Sequence, residues 1–422
     1  MEIDRSSAYK GDMGEGQARS WRSNRPRRSG QPASRRIGVH GPHAACLLFF
    51  LIAAGALWLT IAPAAAGTVS ETPPISLPGR ADDVPEPVMG TRSFLRISGG
   101  AVAGTYFQLA DVLAGVVSHP PGSIRCLEAG RCGPAGLIAV AQASEGSVRN
   151  VMEVNSGAVD TALAQADIVR WAASGTRLFA RVGPQDRLRA IANLYPEAVH
   201  LVARFDAPLV SLADLVGKRV SIDRPGSGTN ATARLIFETL DLNPGDMDLV
   251  TLSPGRAASE LAAGQIDAFF FTAGAPVSVV ARLIERGHAR LVPLDGPAIE
   301  RITASHPVFR IAPLGKGIYP GQPDIQTLSV GALWITHADM PADLIEALTG
   351  ALWHANNRPS LIAGHPSGAA LSLDKALDGL PIPVHPGAVA FYQAAGILVD
   401  TEEPGEPVPA DPAPTDEPEA KL

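Results

Sequence analysis

Cysteine is scarce in this chain of 422 residues, three in all, so a disulfide-dense scaffold is excluded. No basic stripe runs through its body and the formal charge is −7, which argues against nucleic acid as a partner. Charged residues make up only 18% against 46% hydrophobic, so disorder cannot dominate and a sizeable core can be buried. Catalytic signatures are missing as well. Pro225 stands before Gly226-Ser227 and denies a nucleophile elbow its leading glycine. Gly228 is followed by Thr229 where a phosphate-binding P-loop needs lysine, and SGGAVAG at 98–104 does not spell a dinucleotide fingerprint. Histidines from His119 to His385 are scattered, none spaced H-x-x-x-H, and the cysteines lack histidine partners at zinc-like spacing. Neither an enzyme, a cofactor nor a metal site is expected.

What the chain does have begins at its N-terminus. Residues 1–43 carry Arg22, Arg25, Arg27, Arg28, Arg35 and Arg36, followed by an uncharged, mostly apolar run at 44–62 and then Ala64-Ala65-Ala66. That order is a secretory signal, with cleavage expected after Ala66 and export to the periplasm. The apolar run of 19 residues also approaches the ~20 that span a bilayer, so an uncleaved anchor is the alternative. A leader this long leaves the start of translation open between Met1 and a later codon such as Met13. Cleavage leaves 26 basic and 38 acidic residues, seven of the acids lying among six prolines in the last 22 positions. A linker at 67–92 and a disordered acidic tail at 399–422 are expected. Cys126 and Cys132, in RCLEAGRCG, are expected to bridge in an oxidising compartment, with unlinked thiols as the alternative.

The densest information lies between Tyr195 and Thr229. Residues 218–223 alternate around Val220 and Ile222 as a strand does, and Pro225, Gly226 and Gly228 then break it. Ala233, Ile236, Phe237 and Leu240 follow at helical spacing, so this is a glycine-led turn entering a helix whose first N–H groups can hold an anion. Two segments repeat one pattern: NSGAVDTALAQAD at 155–167 and LAAGQIDAFFFTA at 261–273 place Gly157 and Asp160 107 positions before Gly264 and Asp267. Each follows a strand that enters a glycine-rich turn. The fold class is therefore α/β, built of two similar lobes. Apolar strands without internal proline run at 198–205 and 328–336, and the family resemblance given next implies that they cross between the lobes. These boundaries make 93–199 plus 333–398 one lobe and 200–332 the other. The residues around Pro120, Pro121, the cysteines and Pro134 are expected to form a surface excursion, and 341–355 a helix packing on the first lobe.

Taken with SGGAVAGTYF at 98–107, IANLYPEAVHLV at 191–202, GQIDAFFFTAGAP at 264–276 and ALDGLPIPVHPGA at 376–388, the chain resembles the TAXI-type solute receptors of tripartite ATP-independent periplasmic (TRAP) transporters. The resemblance covers about Ser93 to Ile397. It implies a two-lobed, type II periplasmic-binding-protein fold that captures a small organic anion, a glutamate-like amino acid or a dicarboxylate, and delivers it to membrane permease subunits without catalysis. A membrane-anchored ligand sensor of the same fold is the alternative.

Ser227, Gly228 and Thr229 of the second lobe are the expected carboxylate ligands, a mere helix cap being the rival role. In the first lobe Gly99, Gly100, Thr105 and Tyr106 form the matching turn, with helix packing as the rival role for Tyr106. The resemblance adds Gln165 and Phe271 at strand ends facing the cleft. Ser147 reads as a helix cap, and no arginine, Arg224 included, is assigned to the ligand.

Overall fold

The computed structural model describes residues 93–315 and 317–399. The arginine-rich leader, the apolar run, the proposed cleavage site, the linker and the acidic residues 400–422 lie outside the described residues. Among the described residues no helix is long and apolar enough to cross a membrane.

Two α/β halves follow each other along the chain. The first runs β1 (Ser93–Ser98), α1 (Thr105–Val117), β2 (Leu137–Gln142), α2 (Ser147–Asn155), β3 (Thr161–Gln165) and α3 (Ala166–Ser174), and leaves through the long strand β4 (Leu188–Arg204). The second runs β5 (Arg219–Ser221), α4 (Gly228–Thr239), β6 (Asp248–Val250), α5 (Pro254–Ala262), β7 (Ala268–Ala273), α6 (Ser278–Glu285), β8 (Ala289–Val292), α7 (Pro297–Ser305) and β9 (Phe309–Leu314). Strand β10 (Ile325–His337) then returns to α8 (Ala342–Trp353), α9 (Arg358–Gly364) and α10 (Pro386–Ala394).

The ten strands of the described residues belong to one sheet with the order β2-β1-β3-β10-β4-β7-β5-β6, while β8 pairs with β4 and β9 with β10. In the first half β1 lies parallel to β2 and β3, and in the second β5 lies parallel to β6 and β7. Each parallel set is closed by an antiparallel crossing strand, β10 against β3 and β4 against β7. Order 2-1-3 plus a returning strand is thus used twice, which is the two-lobed architecture of periplasmic binding proteins. The outward crossing strand begins at Leu188, ten positions before the expected segment, because Leu188–Ala198 pairs with His337–Ser329 of β10 before β7 takes over at Ala198.

Burial explains these choices. Every residue of β3 (TALAQ) and β7 (AFFFTA) is buried, as central strands covered on both faces must be. On α4 the spacing of Ala233, Ile236 and Phe237 lays them on one face, and all three are wholly buried. Helix α8 turns Ile345, Leu348 and Leu352 onto the core shared with Trp334 of β10 and Leu109 of α1.

The internal repeat has a structural cause. Gly157 and Gly264 both take left-handed backbones, φ 72° and 71°, turning the chain from helix into strand. The aspartates that follow tie that strand to its parallel neighbour: Asp160 accepts the backbone N–H of Arg96 at 2.7 Å, and Asp267 that of Arg219 at 3.0 Å. Gly157 and Asp160, with Gly264 and Asp267, are therefore fold residues placed at equivalent points of β1 and β5. The excursion between α1 and β2 holds a short 3₁₀ turn, Ile124–Leu127, and Cys126 and Cys132 are bonded there with Cα atoms 5.4 Å apart.

Candidate functional site

Strand-to-helix turns from both halves meet beside the crossing strands. Helix α4 starts as the turn chemistry requires: Ser227 stands in extended backbone and its Oγ accepts the N–H of Asn230 at 3.1 Å. Asp223, just past β5, holds a left-handed backbone (φ 66°), and its carbonyl accepts from Asn230 Nδ2 at 3.1 Å. Asparagine and aspartate tolerate that region better than other side chains, so this is how a tight turn forms ahead of Pro225. Thr229 points inward, with Oγ1 accepting the N–H of Thr272 at 3.0 Å. Gly228 leaves no room for a side chain, since a Cβ there would lie 1.6 Å from Gln165 Oε1 and 2.9 Å from Ser147 Oγ, both of the first half. The glycine permits the two halves to touch.

Other contacts cross the same junction. The carbonyl of Gly226 accepts from the N–H groups of Val148 and Arg149 in the first turn of α2, at 3.1 and 3.2 Å. One helix N-terminus is thus stoppered by the other half's glycine turn. Ser147 is the first helical residue, not the cap, and its Oγ accepts the N–H of Gln165 at 3.1 Å. Gln165 Nε2 in turn donates to Thr232 Oγ1 of α4 at 3.2 Å, and that hydroxyl donates to Asp167 at 3.4 Å. Thr105 Oγ1 donates to the Gly274 carbonyl at 3.2 Å.

Tyr106 reaches further than helix packing. Its hydroxyl donates to Glu197 Oε2 on β4 at 2.5 Å. Glu197 is 2% exposed and Asp167 wholly buried, so the low-polarity surroundings disfavour their charges. Burial lifts Glu197 to about 8, opposed by the Tyr106 hydrogen bond and reinforced by the charge of Asp167. Asp167 is lifted by burial to about 7, opposed by the N–H of Ile168 and by Thr232.

Among the described residues three hydroxyls near this junction are buried without a hydrogen-bond partner: Tyr195 OH, Thr272 Oγ1 and Ser367 Oγ. A Cβ on Gly274, just past the end of β7, would meet Ser367 Oγ at 2.3 Å, Tyr195 Cε2 at 2.7 Å and Thr105 Cγ2 at 3.1 Å, and Thr272 stands two positions earlier in β7. Two of these residues, Tyr195 and Ser367, therefore crowd one glycine at the junction, bringing β4 and the returning segment against the end of β7. Further out, a cavity of about 900 Å³ opens between the halves, lined by Ser98, the 101–103 loop, the 142–145 loop, Arg149 and Glu153 on one side and Arg224, Ser253 and Gly255 on the other.

Of the residues singled out from sequence, Thr105, Tyr106, Gln165, Gly228 and Thr229 come together at the junction, with Ser227 as the cap that fixes α4. Gly99 and Gly100 lie in the turn behind them, where Gly99 admits no Cβ because the Phe107 backbone would stand 2.7 Å away. Phe271 packs beside Gly104, 3.6 Å from where its Cβ would be, and its carbonyl pairs with His200 Nδ1. Sequence reasoning missed Tyr195, Glu197, Thr232, Thr272 and Ser367 as parts of this junction. The signal available for Glu197 was a carboxylate inside an apolar strand, IANLYPEAVHLV.

The strand order and the paired crossing strands define the class as a two-lobed α/β protein of the periplasmic-binding-protein fold. The chain belongs to the NMT1-like family, whose model matches residues 97–396. Among solved structures it is similar to the alkanesulfonate-binding protein SsuA from Xanthomonas axonopodis pv. citri bound to MOPS, at 17% identity over 74% of this chain and 96% of that one, TM-score 0.39. It is also similar to the periplasmic aliphatic sulphonate binding protein SsuA from Escherichia coli, at 15% identity over 72% and 84%, TM-score 0.37. MatC from Rhodopseudomonas palustris with bound malate matches at 14% identity over 65% and 89%, TM-score 0.40.

Proposed function

We propose that this protein is an exported solute receptor, in which two lobes, 93–199 plus 333–398 and 200–332, close on a small organic anion. The observation that carries the reading is the set of orphan hydroxyls of Tyr195, Thr272 and Ser367, buried where the glycine-led turns of both halves meet. Hydroxyls and helix N-terminal N–H groups donate to carboxylate oxygens, and their dipoles favour negative charge, so an acid is the ligand such a junction accepts. The resemblance to TAXI receptors narrows the guest to a glutamate-like amino acid or a dicarboxylate. It also supplies the destination, the membrane subunits of a TRAP permease. No catalytic step belongs to this reading: the protein binds, closes and releases. Isothermal titration with L-glutamate, L-aspartate, succinate, L-malate and glutarate tests it. Saturable binding of one acid, weakened at least about tenfold by Ser367→Ala with Thr272→Val, is expected, because the acid loses two buried donors. Absence of binding by every acid in the set contradicts it.

A further inference from the structure

One buried carboxyl is shared between the halves. Asp167, the second residue of α3 in the first half, is wholly buried, and its Oδ2 accepts from Thr232 Oγ1 of α4 in the second half at 3.4 Å. Gln165 Nε2 closes a triangle, 3.4 Å from Asp167 Oδ1 and 3.2 Å from Thr232 Oγ1. The halves fit tightly around these three, since a Cβ on Gly228 of α4 would overlap Gln165 Oε1. The charged and titratable groups that act on this carboxyl are Glu197 of β4 and Arg177 of the 3₁₀ turn Arg177–Phe179, while α4 presents the Thr232 hydroxyl to it. Arg177 is itself paired with Glu238 of α4, and its guanidinium carbon lies 5.0 Å from the centre of the Trp171 ring. Glu197 differs from Asp167 in one respect: its partner, Tyr106, belongs to its own half. Parting the halves would thus bring water to Asp167 and leave the Glu197–Tyr106 bond in place.

We propose that Asp167 is a proton-operated latch: with its proton in place the carboxyl stays sealed against Thr232 and the halves stay together, and as it ionises the seam between α3 and α4 opens. An ionised carboxylate sealed in this seam forgoes its hydration, and the Thr232 hydroxyl with the N–H groups at the start of α3 returns only part of it. Opening restores the rest, and the proton passes to solvent. Burial lifts the closed carboxyl to about 7, against about 4 in water, so its support for closure is full below about pH 4 and is lost as pH rises through 7. Between pH 6 and pH 8 the closing equilibrium weakens about tenfold. The inference goes beyond the receptor reading, because it concerns the seam and holds whatever solute the protein takes.

Amide hydrogen exchange of the full chain, with no acid added, tests the latch at pH 6 and pH 8. The probes are the N–H groups of Val148 and Arg149, which donate to the Gly226 carbonyl across the halves. Each wild-type rate is divided by the rate in Asp167→Asn at the same pH, which cancels the intrinsic pH dependence of exchange. The quotient should rise about tenfold from pH 6 to pH 8, and the opening constant at pH 8 should exceed that of global unfolding measured in urea. Thr232→Val, which removes the hydroxyl supporting the carboxylate, should widen the rise. A quotient constant within about twofold overturns the proposal. Opening constants equal to that of global unfolding overturn it too, since the halves would then part only when the whole fold is lost. If Asp167→Asn does not fold, Thr232→Val divided by wild type takes its place, and a quotient independent of pH is then the overturning result.

Discussion

Replacing Glu197 by glutamine should change how stability depends on pH, and the sign is unusual for a carboxylate. Glu197 and Asp167 are buried at the junction and lifted to about 8 and about 7. Their folded values stand above the unfolded ones, so the native protein holds these protons more tightly than the unfolded chain does. Their contribution is full below about pH 4 and is lost as pH rises through 7 and 8. For Glu197 alone the linkage amounts to about 2 kcal/mol between pH 6 and pH 8. Glutamine keeps the shape and an oxygen to accept from Tyr106, yet it does not titrate, so Glu197→Gln should remove that loss and leave the part due to Asp167. Urea unfolding of both proteins at pH 6, 7 and 8 reads the effect directly. Wild type should weaken across the series, and the variant should weaken less, overtaking wild type at pH 8. Parallel pH profiles for the two proteins would refute the reasoning, because Glu197 would then be ionised or solvated in the native state.

Thr229→Val keeps the shape of the α4 turn but leaves the Thr272 N–H buried without its acceptor, and should cost about 1–3 kcal/mol by denaturant unfolding. A loss below about 0.5 kcal/mol would show that this bond is not maintained in solution. Gly228→Ala drives a methyl group into Gln165 Oε1 and should push the halves apart, raising the radius of gyration measured by X-ray scattering. Adding Gln165→Ala should restore the compact value, and an unaltered radius in the single variant would count against the contact. Cys126→Ser opens the six-residue span to Cys132 and should cost roughly 2 kcal/mol, lowering the melting temperature equally at all ligand concentrations.

Local chemistry was legible in the sequence, and contact across the halves was not. The broken strand, the glycine turn, the apolar face of α4 and the G-x-x-D repeat all depend on neighbours within about a dozen positions, and each has its counterpart in the structure. Even there, strand β5 shrinks from 218–223 to Arg219–Ser221: Ile222 still donates its N–H to the Val250 carbonyl, and the left-handed backbone of Asp223 ends the extended run. Tyr106 and Glu197 stand 91 positions apart, Thr105 and Gly274 169, and no periodicity links such pairs. Ser367 was invisible for a further reason. It sits in a 3₁₀ turn, Pro366–Ala370, after the chain has returned through β10, so its place beside Gly274 follows only from the finished topology. Arg224 read as an ordinary surface arginine because a sequence does not reveal that an Nε is buried against nothing that accepts its proton.

Native mass spectrometry of gently purified protein bears most directly on the central claim, that the junction between the halves holds a small acid. A mass above that of the polypeptide by one organic acid, lost on denaturation and diminished in the Ser367→Ala, Thr272→Val double variant, is the predicted result. The bare polypeptide mass, unchanged after incubation with L-glutamate, L-aspartate, succinate, L-malate or glutarate, would contradict the account.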